Sequence, residues 1–203
     1  NDISLDLSTP YYISKLAGEA YCQFYSNQYK LPVSIVRLFN SYGPGEVPGQ
    51  YRNVIPNFIY WALQKKALPV TGSKSMARDF VFVDDTIEGI LRAGFFDEAI
   101  GKAVNIATGN SVNIMDVANY INSKTGNTSG IHFLEKRNWD TRESIIGSTD
   151  LMKELLRFEA LTDFKDGIDS TIDWFMVNKE MIFKSADFNP GISAALSHGE
   201  DRL

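Results

Sequence analysis

The chain has 203 residues, 44% of them hydrophobic, enough to bury a sizeable core either as one large domain or as parts of two. A formal net charge of −5 gives no overall basic field, so nucleic acid is not an expected partner and any anion must be met by locally placed arginines. Cys22 is the one cysteine, and the two histidines, His132 and His198, are far apart, so no intrachain disulfide and no thiolate or histidine metal site is expected.

No apolar run approaches the ~20 residues of a membrane span, and the first residues lack the basic and apolar regions of a signal peptide, so the expected setting is cytoplasmic. Asn1 to Leu7 is a polar lead-in. A helix is predicted from about Pro10 to Tyr29, with Pro10 suited to the first helical position and Thr9 or Ser8 able to cap. Ile13, Ala17, Ala20 and Phe24 mark a stripe suited to a core, and Gly18 in mid-helix suggests that something approaches closely. Val33 to Phe39 is β-branched and nearly all apolar, which fits a strand buried on both faces of a parallel sheet. It ends in the breaker-rich Asn40-Ser41-Tyr42-Gly43-Pro44-Gly45, at the carboxyl end of a strand, where ligands bind in open α/β sheets.

A long loop from Glu46 to Arg52 leads to a helix opened by Pro56 and running to about Lys66. Leu68 to Thr71 reads as a short strand closed by Gly72-Ser73. Arg78 to Val83 reads as another strand, with Asp84-Asp85 capping a helix from Thr86 to Phe96. Ala103 to Ala107 is a further buried strand, and Asn113 caps a helix ending near Gly126. His132-Phe133-Leu134 suits an edge strand, followed by a charged loop from Glu135 to Ser148. Helices are expected from about Asp150 to Leu156 and from Phe164 to about Phe183, the latter with Ile168, Ile172 and Phe175 on one stripe. The tail from Lys184 shows no clear periodicity.

The chemistry concentrates first in the Thr9 to Glu19 stretch. Residues i and i+4 of a helix share one face, so Tyr11 and Lys15 would present a phenol and an ammonium side by side. The cation favours a phenolate whose ordinary pKa is about 10, which makes a general base, although such a pair also arises in helices without any function. Arg37, Asn40, Asn53, Arg78, Arg137, Asp140 and Arg142 are the other candidates. Arginines match phosphate oxygens bidentately and asparagine amides can donate to the same oxygens, so groups of these types converging from several loops would suit a diphosphate. The alternative for each arginine is a solvated or ion-paired surface residue, and for Asn53 and Asp140 a loop or cap residue. Asp79 and Asp84 read mainly as ion-pair and capping groups.

The ordered motifs resemble the extended short-chain dehydrogenases/reductases that modify nucleotide-diphosphate sugars, the NAD-dependent epimerases and dehydratases that include UDP-glucose 4-epimerase. Pro10-Tyr11 with Ser14-Lys15 and Glu19 is similar to their catalytic helix, and Arg37 to Pro44 to their Arg-x-x-Asn-x-Tyr-Gly-Pro segment. Gly72 to Asp85 is similar to their Arg-Asp-Phe strand, with Asn105 to Gly109 and Lys136 to Asp140 in the expected later places. The resemblance covers about Asp6 to Phe183. It implies an α/β fold: the last strands and catalytic helix of an NAD-binding Rossmann domain (1–46 and 77–108) with a smaller α/β sugar-nucleotide domain (47–76 and 109–183), and 184–203 unassigned.

The resemblance further implies roles. Tyr11 would take the proton from a sugar hydroxyl and Lys15 would bind the nicotinamide ribose. Phe39 and Asn40 would lie beside the nicotinamide and the sugar diphosphate. Asn53, Arg78 and Arg137 would grip the diphosphate, and Asp140 would belong to the nucleotide pocket. NAD is the implied cofactor and a UDP- or dTDP-sugar the implied substrate. The complete protein would be a homodimer with neither nucleic acid nor membrane as partner. The implied reaction is 4-epimerisation, with 4,6-dehydration, uronate decarboxylation or a non-catalytic sugar-nucleotide-binding module as alternatives. The family's Gly-x-x-Gly-x-x-Gly loop and catalytic Ser or Thr lie upstream of the tyrosine, and neither is found in these residues. The expectation is that the adenine and pyrophosphate half of the cofactor site is absent here and that this chain alone is inactive.

Overall fold

The computed structural model describes residues 9–49, 52–135, 142–186 and 188. The first helix, α1 (Pro10–Tyr29), starts and ends where its punctuation predicts. Thr9 Oγ1 accepts from the Tyr12 N–H at 3.3 Å, Pro10 occupies the first turn, and Lys30 ends the helix in the left-handed region. Its burial departs from expectation. No residue of α1 is buried, and Ile13 and Phe24, expected in a core, are 51% and 53% exposed. A Cβ added at Gly18 would meet nothing within 4 Å, so no close approach explains that glycine among the described residues.

Strand β1 (Ile35–Leu38) pairs in parallel with β6 (Ala103–Ile106), Ile35 opposite Ala103 and Leu38 opposite Ile106. It has one flanking strand among the described residues, and Arg37 and Leu38 are exposed, so the two-sided burial expected of it is not met here. The chain then steps sideways into β2 (Ser41–Tyr42), which pairs in parallel with β5 (Val81–Phe82). The single strand expected from Arg78 to Val83 is two short ones. β4 (Ala77–Arg78) lies antiparallel to β7 (Val112–Asn113) and parallel to β9 (Ser144–Ile145), in a different sheet from β5. The change of partners falls at Asp79, whose N–H donates to Ile145 O at 3.1 Å while the Val81 N–H donates to Asn40 O at 3.3 Å.

Helix α3 (Val83–Phe95) follows at once. Its cap residue is Phe82, without a side-chain bond. Asp84 and Asp85 therefore sit inside the first turn, facing the positive end of the helix, rather than capping it. Asp85 Oδ2 instead accepts from the Thr162 N–H at 3.1 Å. Helix α2 (Val54–Leu63) begins two residues before Pro56, and β3 (Leu68–Thr71) pairs in parallel with β8 (Ile131–Leu134). Helix α4 (Ile114–Thr125) has both expected ends: Asn113 Oδ1 accepts from the Met115 N–H at 2.8 Å, and Gly126 closes it at φ 61°. Helix α5 (Asp150–Leu156) also matches. The last expected helix is α6 (Phe164–Val177) followed, after Asn178, by α7 (Lys179–Ser185).

Two apolar clusters form the core. One gathers Phe58 and Ile59 of α2, Leu68 of β3, Ile121 of α4 and the stripe Ile168, Ile172 and Phe175 of α6, as the spacing of that stripe predicts. The other gathers Val81, Ala93, Val104, Ile106, Met152 and Leu156. They meet at β5, where Val81 belongs to one cluster and Phe82 to the other, because successive strand residues face opposite sides.

Candidate active site

Tyr11 and Lys15 stand one turn apart on the first turns of α1, with Lys15 Nζ 5.3 Å from the centre of the Tyr11 ring. Tyr11 is 63% exposed and Lys15 is exposed, so a ligand can reach both. The Ser14 hydroxyl donates to Tyr11 O at 2.7 Å, inside the same turn. One turn further along, Glu19 takes a bidentate pair from Arg37 of β1, Nε to Oε1 at 2.7 Å and Nη2 to Oε2 at 2.6 Å. The hydrogen bonding from Arg37, aided by its charge, holds the Glu19 carboxyl below its ordinary value against the opposing effect of burial. Arg37 is thus an ion-paired residue. Because Tyr11, Lys15 and Glu19 are spaced by four, the stripe that carries the phenol and the ammonium is the one turned toward β1.

A second group forms where β1, β2, β4 and β5 end. Asn40 Nδ2 donates to Asp79 O at 2.8 Å. Asn53, the cap residue of α2, makes no capping bond. Its Nδ2 donates instead to Ser41 O and to Glu46 Oε1, each at 3.1 Å. Arg78 Nη1 donates to Ala77 O at 2.8 Å and Glu143 O at 3.1 Å, and Nη2 to Arg142 O at 3.3 Å. Phe39 packs on the loop opposite: a Cβ at Gly147 would lie 3.0 Å from its ring and 2.3 Å from Ala107 Cβ, so only glycine fits there. The structure therefore brings Asn40, Asn53 and Arg78 into one network through Ser41 and Asp79, and leaves Tyr11 and Lys15 as a pair on α1. Arg137 and Asp140 lie outside the described residues.

Two acidic residues at this site were not legible as such. Asp79 has no exposed surface, and its partners are four donors rather than a cation. Oδ1 accepts from the Thr108 N–H at 3.0 Å and Thr108 Oγ1 at 2.6 Å, and Oδ2 from the Gly109 N–H at 3.0 Å and the Gly147 N–H at 3.1 Å. The hint in the sequence was an acid set directly against the apolar run Phe80-Val81-Phe82-Val83. Glu46 is the other: its Oε2 is shut off from solvent and accepts no hydrogen bond among the described residues. Burial pushes its carboxyl above the ordinary value, against the opposing pull of the Asn53 N–H, Arg52 and the Asn53 side chain. Among the described residues no group of three or more His, Cys, Asp or Glu could hold a metal ion, and no helix is long and apolar enough to cross a membrane.

The NAD dependent epimerase/dehydratase family model matches residues 1–107 of the chain. A UDP-N-acetyl-alpha-D-glucosaminuronate decarboxylase of Bacillus cytotoxicus is 36% identical over 171 residues, which are 81% of this chain and 52% of that protein. The solved epimerase of Methanothermobacter thermautotrophicus has a TM-score of 0.90 at 43% identity, over 92% of this chain and 56% of that one. WbmF of Bordetella bronchiseptica, solved with NAD+ and UDP, has a TM-score of 0.79 at 36% identity, over 90% of this chain and 58% of that one. Other relatives are named as a UDP-glucose 4-epimerase, a UDP-glucuronic acid decarboxylase and a trifunctional enzyme with UDP-glucose 4,6-dehydratase activity. The chain spans a quarter to about half the length of these curated relatives, from 25% of the trifunctional enzyme to 55% of the UDP-glucose 4-epimerase. The α/β architecture with parallel strand pairs agrees with these neighbours, and with more than half of its residues matched by the family model, the chain belongs to the NAD dependent epimerase/dehydratase family.

Proposed function

We propose that the chain carries the proton-transfer pair and the diphosphate grip of a nucleotide-sugar 4-epimerase-type enzyme whose substrate is a UDP-sugar, or alternatively a dTDP-sugar. The observation that carries the reading is the exposed Tyr11–Lys15 pair on a helix pinned to β1 by Glu19 and Arg37. The donor set suits a nicotinamide ribose: an accessible ammonium one turn from an accessible phenol, with the half-buried Phe39 ring at the end of β1. Lys15 would bind the ribose hydroxyls, and Phe39 and Asn40 would flank the nicotinamide and the sugar. NAD, when bound, supplies the acceptor for the hydride that leaves sugar C4 and the donor for its return.

The chain's residues do the rest. Tyr11 Oη, as phenolate, takes the proton of the C4 hydroxyl while the C4 hydride leaves, and returns it when the carbonyl is reduced. Lys15 Nζ, 5.3 Å from the centre of the Tyr11 ring, keeps a positive charge on the same helix face as the phenol. Arg78, Asn53 and Asn40 would hold the diphosphate, with Arg137 and Asp140 completing the pocket. To donate to a phosphate, Asn53 must release Ser41 O or Glu46, since both its amide hydrogens are engaged. The relatives named as 4,6-dehydratase and uronate decarboxylase keep those two reactions as alternatives for the same first oxidation. The exposed aromatic side of α1, with Tyr21, Phe24, Tyr25 and Tyr29, supports pairing of two copies along that helix.

The test is Tyr11→Phe in the protein expressed from its complete gene. Turnover of UDP-sugars should fall about 10²- to 10⁴-fold while UDP affinity stays unchanged. Unchanged turnover removes Tyr11 from the chemistry. A wild-type protein that binds UDP-sugars without turning any over would mark a binding module instead.

A further inference from the structure

Every hydrogen-bonding group of Asp79 joins a different part of the site. Its N–H donates to Ile145 O at 3.1 Å, its carbonyl accepts from Asn40 Nδ2 at 2.8 Å, and its carboxylate accepts from Thr108, Gly109 and Gly147 at 2.6–3.1 Å. The Gly147 bond fixes one end of the segment whose other end, at Arg142 and Glu143, supplies the carbonyls that orient the Arg78 guanidinium. Glycine at 147 lets that segment close against Ala107 and Phe39. A fully buried carboxylate with four donors and no route to solvent cannot touch substrate, yet it determines where two groups expected to touch it are aimed.

We propose that Asp79 is a positioning residue for the diphosphate subsite, aiming the Asn40 amide through its carbonyl and the Arg78 guanidinium through the Arg142–Gly147 segment. The proposal rests on the sugar-nucleotide reading above and adds a residue to it. Tyr11 and Lys15 are held by a different device, the Glu19–Arg37 pair, so the two effects separate. Asp79→Asn keeps the shape but replaces one accepting oxygen by a donor, set against the Gly109 and Gly147 N–H groups or against the Thr108 N–H. Misaiming of this kind should appear in substrate binding and leave the proton-transfer pair in place.

The experiment compares wild type with Asp79→Asn, and with the milder Thr108→Val, which removes the 2.6 Å hydroxyl donor together with that hydroxyl's two contacts to Asn110 and leaves the three N–H donors to Asp79 in place. The complete protein is used, and KM and kcat for the UDP-sugar, UDP affinity by calorimetry and amide exchange at Gly109 and Gly147 are read. Support is a KM raised on the order of 10- to 100-fold in Asp79→Asn with kcat changed much less, a smaller rise in Thr108→Val, and faster exchange at both glycines. A merely structural role would lower the apparent kcat through lost active protein and leave KM alone, which overturns the proposal. If Asp79→Asn does not fold, Thr108→Val decides by the same split. If wild type binds UDP but turns over no sugar, the enzymatic reading fails by itself, and UDP affinity decides the positioning role. If wild type binds neither UDP nor dTDP, both fall.

Discussion

Asp79 and Glu46 are acids with opposite environments. The first has four donors, whereas the second has one oxygen on Asn53 and one with no partner among the described residues. Burial raises the Glu46 carboxyl above its unfolded value of 4.5. A raised folded value means that the protonated form is the one the fold favours, so its contribution is present below the unfolded pKa and is lost as the pH rises through the folded one. Glu46→Gln removes this dependence. Between pH 4 and pH 7 the variant should gain on wild type, on the order of 0.5–1 kcal/mol after solvent screening, in chemical unfolding at the two pH values. Parallel stability curves would show that Glu46 is solvated in solution. Neither environment could be read from residue type: Glu46 stood at the head of a loop and Asp79 beside an arginine, and what distinguishes them is the distant chain that folds over each.

At the scale of single elements, α1 shows how differently ends and faces are encoded. Its limits are local, a threonine cap and a first-turn proline, and both are where the sequence puts them. Its faces depend on neighbours, and the stripe read as core is exposed in this chain. The Glu19–Arg37 pair is what ties the helix to β1, and at 23% and 52% side-chain exposure it should contribute about 0–1 kcal/mol to global stability. Arg37→Ala should therefore leave the unfolding midpoint nearly unmoved while speeding amide exchange along α1. The pH dependence has the opposite sign to that of Glu46. Glu19 is held below its unfolded value, so its contribution is present above that value and is lost as the pH falls through the folded one. Exchange in α1 should thus quicken on acidification before the rest of the molecule responds, and equal response across all helices would show that the pair anchors nothing.

At the scale of the whole molecule, two apolar clusters share one two-residue strand. Phe175→Ala in the first should cost about 3–5 kcal/mol and Leu156→Ala in the second about 2–5 kcal/mol, both sites being fully buried. Because β5 puts Val81 in one cluster and Phe82 in the other, either change should lower amide protection in both clusters together. Loss confined to the mutated cluster would show two independent folding units. The limits of α1 and α5, the capped ends of α4, the Ile168 stripe and the ordered family motifs were set by sequence alone, since each depends on spacing over a few residues. The split of the expected Arg78–Val83 strand, the exposure of α1, the engagement of Asn40, Asn53 and Arg78 by protein carbonyls, and the roles of Asp79 and Glu46 were decided only by tertiary structure. Each of these follows from which distant segment lies alongside, as when Ile145 and Asn40 claim successive backbone groups around Asp79, and a residue's own neighbours in sequence carry no record of that choice.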